Sequence, residues 1–225
     1  STFKTTIQEA TRILITTHEY PDADGIGSEI SLCLALRQFG KDCFCVNEEP
    51  LLERYKYLDQ DNVVLGLQEF IHSYGRDYHP ELIIVVDTNT KTRVGNKFCQ
   101  FIEEHQKKEK TQVLYIDHHP TKEKIGPFHC VDTTAAATGQ IVGEFIEGLS
   151  IPFTQKIALP LYTAIIIDTS SFRYPTVSSN THRLVSKLME TGIKPPKAYN
   201  GIYGTKKIQH MHLLSKILSS AAINK

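Results

Sequence analysis

Four apolar runs punctuate the chain, and each gives way abruptly to side chains that can hold a metal or move a proton. Ile13-Leu14-Ile15 leads to His18, Asp22 and Asp24; Leu82 to Val86 leads to Asp87; Leu114-Tyr115-Ile116 leads to Asp117, His118 and His119; and Ile165-Ile166-Ile167 leads to Asp168. The aliphatic stretch Leu82 to Val86 has the composition of a parallel strand buried on both faces. Pro120 closes the third run, because proline cannot extend a central strand. In an open α/β sheet ligands sit outside the carboxyl ends of the strands, so residues far apart in sequence converge there.

Between these runs the pattern alternates strand with helix. A short helix at Phe3 to Ala10 precedes a strand at Arg12 to Thr17, and the loop His18 to Gly25 leads into a helix whose period is carried by Ile26, Ile30, Cys33, Leu34 and Arg37 and stopped at Gly40. Asp42 to Val46 alternates as a strand and Leu51 to Leu58 reads as helical, while Asp59 to Pro80 is mixed and yields no element. A helix over Val94 to Lys110 and a strand over Gln112 to Ile116 follow. Ala135 to Leu149 carries Ile141, Val142, Phe145 and Ile146 on one helical face, and Thr154 to Ile167 continues as a buried helix with a kink expected at Pro160. Helices at Thr181 to Glu190, Pro195 to Tyr203 and a last amphipathic stretch marked by Ile208, Met211, Leu214 and Leu218 complete the chain. The expected class is α/β: a parallel sheet with helices on both faces and a helical C-terminal segment.

Composition narrows the function. With 225 residues, 40% of them hydrophobic, the chain can bury one large core, alone or with a small appendage. Its 25 basic and 25 acidic side chains cancel, which argues against stable duplex nucleic-acid binding through a cationic surface and leaves short phosphorylated ligands open. Lys107, Lys108 and Lys110 read as a solvated helix end rather than a nucleic-acid patch. Cys33, Cys43, Cys45, Cys99 and Cys130 form no CxxC pair and read as reduced, mostly buried thiols. No apolar run is long enough to span a bilayer, and no basic segment leads into an apolar one at the start, so the expected compartment is the cytoplasm.

Taken alone, the aspartates of His18-x-x-x-Asp22-x-Asp24 could be turn formers and helix caps. That reading weakens once Asp87, Asp117-His118-His119 and Asp168 recur at matching strand or helix ends. Carboxylates and imidazoles without a thiolate favour Mn²⁺, with Co²⁺ or Mg²⁺ as substitutes, over a structural zinc site. Arg173 suits a phosphate, since guanidinium binds phosphate in a bidentate way, and suits equally a surface ion pair. Arg93 is a weaker candidate, and His72, His79, His105, His129, His182, His210 and His212 read as structural or packing residues.

In order along the chain, His18-x-x-x-Asp22-x-Asp24, Val85-Val86-Asp87, Asp117-His118-His119 and Asp168-Thr169-x-x-Phe172 resemble the four signatures of the DHH phosphoesterase superfamily. The wording of Asp168 to Tyr174 and of Thr181-His182-Arg183 is most similar to the bacterial oligoribonucleases that also act on 3',5'-phosphoadenosine (pAp). The resemblance implies a two-metal site: His18, Asp22 and Asp168 on one ion, Asp24 and His118 on the other, and Asp87 bridging. It implies hydrolysis of short oligoribonucleotides, dinucleotides or pAp, with His119 facing the phosphate as an acid or charge stabiliser and Asp117 orienting an imidazole. Paired ions about 3.5–4 Å apart suit in-line phosphoryl displacement.

The same superfamily core also supports an inorganic pyrophosphatase or exopolyphosphatase, and a third reading is a catalytically silent nucleotide-binding module. The intact ligand set argues against the last, because a dead site loses its costly buried charges first. Two departures from the family wording stand out: Tyr20, where many members carry asparagine, and Ala136-Ala137-Thr138-Gly139-Gln140, which replaces a stretch that often carries serines and a glutamate. The expected division is a DHH catalytic domain at 1–190 and a helical linker at 191–225, toward a DHH-associated domain that this sequence does not contain. The exposed stripe of the last helix is expected to pack back on the domain, to lead to that further domain or to pair with a second copy in a homodimer.

Overall fold

A computed structural model describes residues 2–75, 78–121, 128–204 and 208–220. Six strands form one wholly parallel sheet: β1 (Arg12–Thr16), β2 (Asp42–Asn47), β3 (Val64–Gly66), β4 (Leu82–Val86), β5 (Gln112–Asp117) and β6 (His129–Val131), in the order β3-β2-β1-β4-β5-β6. The chain winds outward from β1 to β3, returns to the centre at β4 and winds the other way. The strand order therefore reverses between β1 and β4, and a crevice opens beyond their carboxyl ends.

Period-two alternation assigns the central strands to two cores. Ile13, Ile15, Ile84, Leu114 and Ile116 face one side, against helices α1 (Thr2–Glu9), α2 (Ala23–Gln38), α5 (Thr138–Gly148), α6 (Gln155–Asp168) and α7 (Ser179–Glu190). Leu14, Ile83 and Val85 face the other, against Phe70 of α3 (Leu67–Tyr74) and Phe98 and Ile102 of α4 (Asn96–Glu109). Helices thus cover both faces, as the two-sided burial of Leu82 to Val86 requires.

The C-terminal helices differ in their packing. In α8 (Pro195–Tyr203) Ala198 is buried and its carbonyl accepts from the Tyr57 hydroxyl, whereas α9 (Ile208–Ser219) has no buried residue. Leu51 to Leu58 folds only as a single 3-10 turn, Glu53–Tyr55, instead of the helix expected there. The unassigned stretch 59–80 contains β3 and α3.

One close approach sets the geometry of the site. α2 and α6 cross at Gly27, where a β-carbon would lie 2.4 Å from the Pro160 carbonyl oxygen, so any larger residue would push the helices apart. This crossing brings the first turn of α2, with Asp24, near the last residue of α6, Asp168.

Candidate active site

The β1–α2 connection is built by its own polar residues. Asp22 has extended backbone and caps α2, its Oδ1 accepting from the amides of Asp24 (2.8 Å) and Gly25 (3.2 Å). His18 donates from Nδ1 to the Glu19 carbonyl at 2.9 Å, which leaves Nε2 facing Asp87 Oδ2 at 3.5 Å. The Glu19 amide in turn donates to the Arg93 carbonyl at 2.6 Å, tying this loop to the one after β4. Gly25 lies so close to Thr17 that a β-carbon would come within 2.3 Å of the threonine Oγ1.

Asp87 follows β4 directly and has φ 61, a left-handed conformation that costs most residues energy but that aspartate tolerates. Strain of this kind persists where surrounding structure over-determines it. Here the buried Thr138 hydroxyl donates to Asp87 Oδ1 at 2.9 Å, and the Asp87 amide donates to the Ile116 carbonyl. Asp24, also buried, accepts from the Thr138 amide at 2.7 Å, the Gly139 amide at 2.8 Å and the Ser28 hydroxyl at 3.3 Å. The N-terminus of α5 is therefore aimed at Asp24, as an anion requires.

After β5 the two imidazoles diverge. His118 Nε2 lies 3.3 Å from Asp168 Oδ2 and 3.8 Å from Asp24 Oδ2, and it is buried without a hydrogen-bond partner. His119 is 47% exposed and donates from Nδ1 to Asp117 Oδ1 at 2.8 Å. Asp117 is fully buried, and its other oxygen accepts from Asn89 Nδ2 at 2.8 Å; the same amide group donates to the His119 carbonyl at 3.1 Å. Asp117 thus contacts the His119 ring, one of the imidazoles it was expected to orient.

The side chains form three sets in which one donor atom from each residue lies within 4.8 Å of the others: His18, Asp22 and Asp87; Asp24, His118 and Asp168; and Asp87, His118 and His119. All six expected ligands converge. Asp168, expected beside His18 and Asp22, instead stands with Asp24 and His118, because the end of α6 is carried to the start of α2 by their crossing at Gly27. Asp87 belongs to two sets and lies between the other groups, consistent with a bridge. Arg173 is exposed and its guanidinium is held on its own loop by the Ser170 carbonyl and hydroxyl, both at 2.7 Å. Ser170, Ser171 and Phe172 before it are all left-handed (φ 50, 63 and 64). His182 packs on Phe172 at 5.2 Å between ring centroids.

Thr138, Gly139, Ser28 and Asn89 were not singled out by sequence reasoning. Two of these contacts are main-chain amides, which leave no trace in residue type. The only signal was the departure at Ala136 to Gln140.

The charges of the site are unbalanced as they stand. Burial, and then the neighbouring Asp87 and Asp168, push Asp24 well above the ordinary carboxylate value, and burial likewise raises Asp168. Burial alone would lower His18, but hydrogen bonding to Asp87 and to the Glu19 carbonyl, with the charges of Asp87 and Asp22, raises it. His119 is raised chiefly by its hydrogen bond to Asp117. Among the described residues no lysine or arginine pairs with Asp22, Asp24, Asp87 or Asp168. Buried carboxylates without a cationic partner and an orphaned His118 Nε2 fit divalent cations, and the oxygen and nitrogen donors fit a metal of the Mn²⁺, Co²⁺ or Mg²⁺ type.

Comparisons with known proteins find relatives over most of the chain. The chain is 27% identical over 212 residues to the bifunctional oligoribonuclease and PAP phosphatase NrnA of Thermus thermophilus, covering 94% of this chain and 60% of that protein. It is 27% identical over 201 residues to the NrnA of Bacillus subtilis, covering 86% of this chain and 58% of that protein. The chain therefore spans about 60% of the length of these curated relatives. The crystal structure of an exopolyphosphatase-related protein from Bacteroides fragilis superposes with a TM-score of 0.87 at 21% identity, over 99% of this chain and 65% of that one, and shows the same fold. Residues 12–165, from the first residue of β1 into α6, match the model of the DHH family, N-terminal domain, and take in every expected ligand except Asp168 just beyond; the chain belongs to the DHH family.

Proposed function

We propose that this chain is the catalytic part of a metal-dependent phosphoesterase that hydrolyses short oligoribonucleotides, dinucleotides or pAp, with two divalent ions, Mn²⁺ foremost. The observation that carries this reading is the convergence of His18, Asp22, Asp24, Asp87, His118 and Asp168 at the switch point, in the sets His18, Asp22, Asp87 and Asp24, His118, Asp168, which a third set of Asp87, His118 and His119 joins. His18, Asp22 and Asp87 would hold one ion and Asp24, His118 and Asp168 the other, with Asp87 shared. Bound there, divalent ions supply positive charge for a phosphoryl group and acidify a water at neutral pH.

The chain's own residues do the rest. The α5 amides and the Thr138 hydroxyl keep Asp24 and Asp87 fixed, so that the carboxylates need not reorganise as charge develops. His119 engages Asp117 through Nδ1, which leaves Nε2 as its exposed nitrogen. The hydrogen bond to Asp117 raises its pKa and so favours the protonated ring, whose Nε2 proton suits the oxygen that leaves when the phosphoester bond breaks. Asp117, held by Asn89, stabilises the protonated ring and fixes its direction.

The relatives named for oligoribonuclease and PAP phosphatase activity support the nucleotide substrate class. Product analysis tests it. With Mn²⁺, the chain should release nucleoside monophosphate from a dinucleotide or phosphate from pAp, and a chelator should abolish both. Release of phosphate from pyrophosphate alone would overturn the nucleotide assignment in favour of a pyrophosphatase.

A further inference from the structure

Beside the metal-binding cluster lies a cavity of about 160 Å³ that the proposed chemistry does not use. It sits above the carboxyl ends of β1 and β2, whereas the ligand cluster sits above β1, β4 and β5. The two share His18. Its walls are Tyr20, Pro21, Pro50, Leu51 and Leu52, from the β1–α2 loop and the segment after β2. Pockets for whole drug-sized ligands begin at roughly 300 Å³, so this one accommodates part of a substrate.

Two polar residues of the lining, Asn47 and Glu48, are already occupied. Asn47 donates to Glu29 Oε1 at 2.7 Å and accepts from the Thr16 hydroxyl and the Thr17 amide, each at 3.2 Å. Glu48 accepts from the amides of Lys97 (3.2 Å) and Phe98 (2.8 Å), and so caps α4. Glu49 pairs with Lys97 at 3.3 Å. No lysine or arginine lines the cavity, and the exposed Glu19 and Glu49 give its mouth an acidic rim. A phosphate would be repelled there, whereas a flat uncharged ring would find apolar walls, with carboxylates beside it to accept from an exocyclic amine. Tyr20 presents a ring that is 84% exposed on a left-handed backbone (φ 56), and Leu52 is 45% exposed. Exposed apolar side chains at the mouth of a preformed cavity are a binding surface for a ring system.

We infer that this cavity is the nucleobase subsite: the base of a bound nucleotide packs between Tyr20 and the Pro50-Leu51-Leu52 wall while its phosphate reaches the cluster beyond His18. The inference rests on the proposed nucleotide substrate. Adenine and cytosine, whose exocyclic amines donate to the acidic rim, fit better than uracil.

Saturation-transfer NMR on the 225-residue chain with Mg²⁺ tests it without turnover, using adenosine 5'-monophosphate and ribose 5-phosphate as probes. The adenine ring protons should receive the strongest saturation, and the nucleotide should bind more tightly than the baseless sugar phosphate. Base stacking measured by alanine substitution corresponds to a loss of roughly ten-fold or more in affinity. Tyr20→Ala and Leu52→Ala, both at exposed positions, should each narrow the preference for the nucleotide by about that factor, with circular dichroism confirming the fold. Absence of saturation at the ring protons of the wild-type complex, or a preference equal in wild type and both variants, overturns the inference. Because binding is read directly, a chain that fails to hydrolyse any nucleotide but keeps the base preference would refute the proposed activity and leave this subsite standing.

Discussion

Thr138 is the residue through which the account is most exposed to a single substitution. Its hydroxyl donates to Asp87 Oδ1 at 2.9 Å with both groups buried, while its amide independently donates to Asp24 Oδ2 at 2.7 Å. Thr138→Val removes only the hydroxyl contact, since the amide and the branched shape are retained. A hydrogen bond to a charged group contributes about 1.5–3 kcal/mol. At about 1.4 kcal/mol per decade this corresponds to roughly 10- to 100-fold, the range seen when a partner behind a metal ligand is lost. Thr138→Val should therefore lower Mn²⁺ affinity or kcat/KM by about 10- to 100-fold, while Thr138→Ser, which keeps the hydroxyl, should stay within about 3-fold. Metal titration by calorimetry and steady-state hydrolysis of a dinucleotide read the two effects. If the valine variant lies within two-fold of wild type, or the serine variant is as impaired as the valine, the hydroxyl does not hold Asp87 in the way the geometry indicates.

Other outcomes follow from the same contacts. Asp87→Asn should abolish most activity and preserve the thermal transition, because asparagine also accepts the left-handed backbone at φ 61 but cannot supply the shared negative charge; near-full turnover with Mn²⁺ would sink the bridging role. His118→Ala should lose metal, whereas His119→Ala should keep it and slow hydrolysis by about 10²- to 10⁴-fold; equal metal loss in the two, read by mass spectrometry, would reverse the assignment. The metal-free protein should be less stable at pH 8 than at about pH 5.5. Asp24 and Asp168 titrate above the ordinary value of 3.8, so from that value upward the folded chain holds protons the unfolded chain has lost, and stability falls as the pH rises through their raised values. His18 and His119 act with the same sign, stabilising below the ordinary imidazole value of 6.5 and losing that contribution as the pH rises through their own raised values. Mn²⁺ should raise the melting temperature more at the higher pH, and a calorimetric scan in which the metal-free midpoint climbs between the two would refute the linkage.

Much of this architecture was legible because β1 and β4 are central strands buried on both faces, and their apolar runs, like that of β5, give way abruptly to polar and titratable residues. The edge strands were not: Val64–Gly66 and His129–Val131 have three residues each, too few to establish a period. Leu51 to Leu58 carries apolar residues at helical spacing, yet only Glu53–Tyr55 forms a turn, since Leu58 and Tyr55 are buried from a winding segment. The carboxylates and imidazoles that converge were legible as residue types, and Asp117 as the partner of an imidazole. Their partition was not, because placing Asp168 with Asp24 and His118 depends on the crossing of α2 and α6 at Gly27, a distance that no single-residue pattern encodes. The α5 amides on Asp24 escaped for a different reason, since backbone donors have no sequence letter.

Anomalous diffraction at the manganese edge, from crystals of this chain grown with Mn²⁺, tests the central claim most directly. Two peaks are expected, one among His18, Asp22 and Asp87 and one among Asp24, His118 and Asp168, with Asp87 in contact with both. A single peak, or manganese bound outside these residues, would contradict the two-metal centre.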